Sequence, residues 1–158
     1  MNPESFQYQF MVSLHDIDAA GVLFFAHLFR RAHDAYEAWM EVSGFPLDAM
    51  IRDGDLALPL VHAEADYRRP MRHGDKVCVL LSVAEVGTSS FKIDYRFQTQ
   101  DGDLAATART VHVCVHPDKG HSRQLPELLS TALRRLLAKP DAAHSGDQRL
   151  TRLAFNPS

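Results

Sequence analysis

The chain has 158 residues, enough to bury one substantial core and too few for two ordinary domains. Hydrophobic residues make up 46% and charged residues 23%, a globular composition that excludes a low-hydrophobicity disordered chain. The net charge of −3 argues against nucleic acid as a partner, because phosphate binding needs a concentrated basic surface. The two cysteines, Cys78 and Cys114, sit in apolar runs and are too few for a disulfide framework, which suits a reducing compartment. No apolar run approaches bilayer length, and the N-terminal MNPESFQYQF has no basic stretch followed by an apolar one. A cytoplasmic protein that does not engage a membrane is expected.

Phe6 to Leu14 alternates loosely and predicts a first strand with one buried face. It runs into His15-Asp16-Ile17-Asp18-Ala19-Ala20-Gly21, whose acidic and small residues favour turns. From about Val22 to Ser43 the period changes: Phe25, Leu28, Phe29, Ala32, Ala35, Tyr36, Trp39 and Met40 recur at steps of three and four, predicting one long amphipathic helix. Gly44 and Pro46 supply its stop. Residues 45–56 read as a connecting loop.

Strand-like segments follow at Ala57–Arg69, Lys76–Val86, Phe91–Thr99 and Leu104–His116. The second of these is apolar enough to suit a central strand covered on both sides. Asp101-Gly102 marks a hairpin between the last two. Pro126 to Lys139 carries leucines at helical spacing and predicts a short terminal helix; from Pro140 the composition is that of a tail. The expected class is therefore α+β: a five-stranded antiparallel sheet with one long helix inserted after the first strand, all within a single domain of residues 1–139, and a tail at 140–158. One helix covers only part of such a sheet, so a homodimer or homotetramer is expected.

The chemistry concentrates where the acidic loop meets the helix. A carboxylate there lies beside leading helix N–H groups, which have no intrahelical acceptor, and Val22 to Ala26 offer no capping side chain to occupy them. A bare D-x-D can equally tie down its own loop by an Asx turn or cap. His33 borders the apolar stripe, roughly 80° around the helix from Phe25 at about 100° per residue, and could face an aryl pocket or simply be a buried, hydrogen-bonded histidine. His27 falls on the polar side and reads as surface. His112, Cys114 and His116 share one strand face, but three residues in a line do not close a tetrahedron, so no metal site is expected. Arg68, Arg69, Arg72 and His73 gather at one turn, and arginines suit phosphate groups.

The order strand, acidic loop, long helix, four strands resembles the hotdog fold, and Asp16-Ile17-Asp18-Ala19-Ala20-Gly21-Val22 resembles the D-x-D-x-x-G-V/I signature of the 4-hydroxybenzoyl-CoA thioesterase family. The likeness covers about the first 120 residues. AAGVLFF followed by His33-Asp34-Ala35-Tyr36-Glu37 is similar to the branch that hydrolyses 1,4-dihydroxy-2-naphthoyl-CoA. This resemblance implies a thioester hydrolase without a cofactor. It implies Asp18 as the catalytic carboxylate, either nucleophile or base for water, and the backbone N–H of Phe25 as the group that polarises the thioester carbonyl. It further implies an aryl pocket involving Phe24 and His33, CoA phosphates met by Arg69 and Arg72, and a polar turn, Thr88-Ser89-Ser90, beside the pantetheine arm. One relative group has histidine where Phe25 stands, so its side-chain acid/base chemistry is not expected here. Asp16 reads as structural. The competing readings are a short- or medium-chain aliphatic acyl-CoA thioesterase and a non-catalytic acyl-CoA-binding hotdog protein.

Overall fold

Period-two alternation in five segments produces one antiparallel sheet. In the computed structural model, which describes residues 5–139, the elements run β1 (Phe6–Met11), α1 (Phe25–Val42), α2 (Leu47–Asp53), β2 (Leu60–Tyr67), β3 (Lys76–Val86), β4 (Ser90–Thr99), β5 (Leu104–Val113) and α3 (Glu127–Arg135). The expected tail from Pro140 lies outside the described residues. The spatial order of the strands is β1-β3-β4-β5-β2. Val77, Val79, Leu81 and Val83 of β3 and Phe91, Ile93, Tyr95 and Phe97 of β4 turn to one face, where α1 buries Leu28, Ala32, Ala35, Tyr36, Trp39 and Met40 against them. Each large side chain in that layer contributes about 2 kcal/mol by leaving water.

Several boundaries move for identifiable reasons. The helix starts at Phe25 rather than Val22, because the backbones of Val22 and Leu23 are already committed: Leu23 N–H donates to the Met71 carbonyl, and Val22 pairs with Arg72. β1 ends at Met11, and a single 3-10 turn follows at Leu14–Asp16. The segment read as a loop at 45–56 contains α2, whose Leu47 and Met50 pack on the core from one helical face. β3 is not covered on both sides: its residues alternate between buried and partly exposed, and Cys78, Leu80 and Ser82 lie on the outer face. Its far end outreaches the shorter β1, and there residues 136–138 take the free edge, with Val83 N–H donating to Leu136 and Ala138 N–H to Val83.

The register sorts the molecule into two ends. At one end lie the close of β1, the start of β3, the close of β4 and the close of β2, with Met11 opposite Lys76, Val77 opposite Thr99 and Tyr67 opposite Ala106. At the other lie Val86 opposite Phe91, Ser90 opposite Val113 and Leu60 opposite His112. β2 is an edge strand exposed on both faces save for half-buried Ala65.

His112 sits inside the core, stacked between Tyr36 at 4.6 Å and Phe91 at 5.1 Å. Its Nδ1 lies 3.3 Å from the Leu58 carbonyl, which can only accept, so Nδ1 carries the proton and Nε2 accepts from the Thr110 hydroxyl at 3.1 Å. Thr110 in turn accepts from the Tyr95 hydroxyl at 3.1 Å. Both ring nitrogens are thereby committed, and Cys114, just past the end of β5, points its thiol at the Gln124 carbonyl. Burial, reinforced by the charge of His33 and opposed by the Leu58 bond, lowers the His112 pKa from 6.5 to about 4. The unfolded chain therefore binds the extra proton first, and stability present above pH 6.5 is lost as pH falls towards 4, by up to roughly 3 kcal/mol. Urea unfolding at pH 7 and pH 4.5 should show this slope in the wild type and a clearly shallower one in His112→Phe.

Candidate active site at the loop–helix junction

The junction is built as a narrow hairpin. Ile17 pairs with Leu23, Asp18 N–H donates to the Val22 carbonyl at 2.9 Å, and Gly21 N–H returns to the Asp18 carbonyl at 3.0 Å. Gly21 holds φ at +77°, a left-handed conformation that side chains with a Cβ resist. The Asp18 carboxylate accepts through Oδ1 from the N–H of Ala20 at 2.8 Å and of Val22 at 3.4 Å. Oδ2 accepts no hydrogen bond among the described residues, and the side chain is exposed. The Asx turn and an open carboxylate oxygen thus coexist in one residue.

Phe24 N–H donates to the Asp16 carbonyl at 2.9 Å, which sets the entry of α1 against the loop. Phe24 is the N-cap, in extended conformation and with no capping side chain. The next two N–H groups, of Phe25 and Ala26, meet no acceptor among the described residues. Phe25 is 63% exposed and its ring leans on that of Phe24 at 4.6 Å. A carbonyl oxygen placed at this turn would meet unpaired donors and the positive end of the helix dipole.

Beneath the hairpin, Asp16 is buried and accepts from the Ser13 N–H at 2.8 Å and from Arg31 at 2.6 Å. Arg31 also reaches Asp34 at 3.2 Å and covers the Phe10 ring at 4.7 Å. Burial pushes the Asp16 carboxyl up, but the bonds from Arg31 and Ser13 and the charges of Arg31 and His15 outweigh it and leave its pKa lowered. Asp16 is structural, as expected. His27 is not simply surface: it is half-buried, and its Nδ1 lies 3.0 Å from the same Asp16 carbonyl.

The other candidates divide between the two ends. The backbone of Arg72 lies against the hairpin at Val22, and its side chain is exposed. Arg69, at the same end, is held in an exposed ion pair with Asp103 at 2.9 Å. His33 lies eight residues along α1 from Phe25, about 12 Å by the helical rise. It pairs with Glu37 at 3.2 Å and rims a cavity of about 250 Å³ that Tyr36, Leu47, Met50 and Leu58 help to line. Ser90 opens β4 at the far end, where Gly87 N–H donates to its carbonyl at 2.8 Å and its hydroxyl would stand 3.2 Å from any Cβ at Gly87. Within one chain, then, Asp18, Phe24, Phe25 and Arg72 come together, while His33 and Ser90 do not join them.

Two contributors escaped the sequence. Arg31 carried one hint, Asp34 a helical turn away. Tyr67, 42 residues beyond Phe25, donates its hydroxyl to the Phe25 carbonyl, and no local pattern links the two.

The sheet wrapped on one long helix, with the acidic hairpin at the helix start, defines a hotdog-fold protein. Residues 12–136 match the family model described as Thioesterase-like superfamily, and the chain belongs to that family. A 1,4-dihydroxy-2-naphthoyl-CoA hydrolase of Synechococcus elongatus is 38% identical over 125 residues, covering 78% of this chain and 91% of that one. The crystal structure of a 1,4-dihydroxy-2-naphthoyl-CoA thioesterase from Synechocystis superposes with TM-score 0.79 at 35% identity, over 82% of this chain and 96% of the other. A gentisyl-coenzyme A thioesterase is similar at 25% identity and TM-score 0.72, over 82% and 99% of the respective chains. The protein is a thioester hydrolase.

Removing the buried carboxylate beneath the hairpin leaves the Ser13 N–H without its acceptor and Arg31 with only the partly exposed Asp34. An Asp16→Ala variant should lose about 1–3 kcal/mol of stability in denaturant titrations. A loss below 1 kcal/mol would mean that the pair does not hold the junction.

Proposed function

We propose that this thioesterase hydrolyses an aromatic acyl-CoA, with 1,4-dihydroxy-2-naphthoyl-CoA as first choice and 4-hydroxybenzoyl-CoA next. The observation that carries the site is the open Asp18 oxygen on the narrow hairpin that leads directly into the helix turn with the unpaired Phe25 N–H. Asp18 either attacks the thioester carbonyl, expelling the CoA thiolate and leaving a mixed anhydride for water to cleave, or removes a proton from the water that attacks directly. In both routes the carbonyl oxygen gains negative charge against the Phe25 N–H, where a preorganised donor is worth most. The names of the relatives and the two phenylalanine rings at the helix entry support an aryl substrate. His33 and Phe24 are assigned to the acyl group, Arg72 and Arg69 to the CoA phosphates, and Ser90 to the pantetheine arm. Arg69 must exchange Asp103 for phosphate, an inexpensive step for an exposed pair.

The working form is a homodimer or a homotetramer. β2 exposes a whole edge together with Leu60, Val61 and Tyr67, and an unpaired edge of that kind is a template for a second strand. Antiparallel pairing of two copies of β2 sets the Asp18 end of one protomer beside the His33 and Ser90 end of its partner, which reunites the divided candidates. No helix among the described residues is long and apolar enough to cross a membrane, in keeping with the cytoplasmic location we assign. We assign catalysis to the single domain of residues 1–139.

Free-thiol detection across a panel of aryl and aliphatic acyl-CoA esters tests the substrate. Aryl-CoA is expected to show the larger kcat/KM, and Asp18→Asn to lower kcat by about 100-fold to 10,000-fold. Preference for straight-chain acyl groups would reject the aryl assignment, and full activity in Asp18→Asn would reject the carboxylate's role. Sedimentation of Val61→Lys should show dissociation relative to the wild type; an unchanged mass would remove β2 from the interface.

A further inference from the structure

The first turn of α1 presents its donors without a capping side chain, so its orientation depends on contacts from elsewhere. Two come from the hairpin: Phe24 N–H and His27 Nδ1 both meet the Asp16 carbonyl, at 2.9 and 3.0 Å. The third comes from the sheet. Tyr67 is the last residue of β2, and its hydroxyl donates to the Phe25 carbonyl, the acceptor on the residue whose N–H is unpaired. The Phe25 carbonyl has two lone pairs, so it can take this bond besides its helical one. The phenol is 47% exposed, and burial of the remainder raises its pKa from 10.0, so it is a neutral donor across the physiological range.

We infer that Tyr67 is a positioning residue for thioester hydrolysis: its hydroxyl fixes the Phe25 carbonyl to the end of β2 and so aims the Phe25 and Ala26 N–H groups at the developing oxyanion. The inference rests on the reading of Phe25 N–H as the oxyanion donor. Leu28 anchors the first turn in the core and the hairpin bonds hold its entry, but among the described residues no other side chain bonds to the Phe25 peptide, whose rotation would swing the N–H groups off target. Tyr67 supplies that attachment from the sheet. A misaligned donor costs rate rather than affinity, because the full negative charge on oxygen exists only in the transition state.

Tyr67→Phe keeps the ring and removes only the bond. It is expected to lower kcat by about tenfold to a hundredfold with KM for the acyl-CoA, thermal midpoint and sedimentation unchanged. Tyr67→Leu should lose the same factor in kcat. Replacement of Tyr67 by 3,5-difluorotyrosine retains the fold and the hydroxyl, but its phenol ionises near neutrality. Its kcat should fall as pH rises through that ionisation, because a phenolate cannot donate to a carbonyl, while the wild type shows no such fall. Wild-type kcat in Tyr67→Phe, a loss carried entirely by KM, or a difluorotyrosine pH profile that overlays the wild type overturns the inference. Asp18→Asn, assayed alongside, separates the two claims: loss of activity there with none in Tyr67→Phe sinks the positioning role and leaves the site standing.

Discussion

The buried pair of Asp16 and Arg31 is the constraint on which the junction between sheet, hairpin and helix depends. Asp16 is tied at its carboxylate to the Ser13 N–H and to a guanidinium from the second turn of α1, and at its carbonyl to the entry of the same helix. One residue thus clamps both ends of the hairpin that carries Asp18. Burying a carboxylate is costly, and the cost is offset here because both of its oxygen-bound partners are a charge and a backbone N–H that would otherwise be unsatisfied. Loss of Arg31 leaves the buried carboxylate with the Ser13 N–H alone, whereas loss of Asp16 leaves Arg31 with Asp34. The first aspartate of the D-x-D pattern is therefore spent on architecture, and this is what leaves the second exposed at a defined place.

The division of the remaining candidates between two ends of the sheet has a simple origin. A helix of 18 residues spans about 27 Å, so its N-terminal turn and the His33 to Tyr36 region serve different neighbourhoods of one chain. The strand at the edge, β2, links these facts: it ends on Tyr67, which touches the helix start, and it begins on Leu60, beside His112 and the cavity under α2. This exposed edge, which connects the two ends, is the one that the proposed assembly pairs with a second copy.

Far from the hairpin, the core holds a polar line from Tyr95 through Thr110 and His112 to the Leu58 carbonyl. Each member has a partner, so the line is compatible with burial, and the donor at Nδ1 sets the direction of every proton along it. Its structural effect is to bind the segment leading into β2 to the middle of the sheet. The stacked Tyr36, His112 and Phe91 rings then join that line to α1.

The alternation in β4 and β5, the long three-and-four repeat of α1 and the D-x-D-x-x-G loop were legible because each expresses a local rule: side-chain direction, helical period, turn chemistry. Those rules determined the α+β class, the element order and the location of Asp18. Boundaries moved where backbone groups were claimed from a distance, as at Val22 and Leu23, whose bonds to Arg72 and Met71 delay the helix. α2 was hidden because seven residues are too few to display a period clearly. His27, Arg31 and Tyr67 acquired their roles only in the folded chain, since a histidine or a phenol carries no mark of the carbonyl it will meet 11 or 42 residues away. Sequence by itself decided what each segment is, because that is a matter of neighbours within a few residues. The tertiary structure alone decided which end of the sheet each candidate occupies and what aims the helix start, because those depend on register and on hydrogen bonds between groups that only the fold brings within reach.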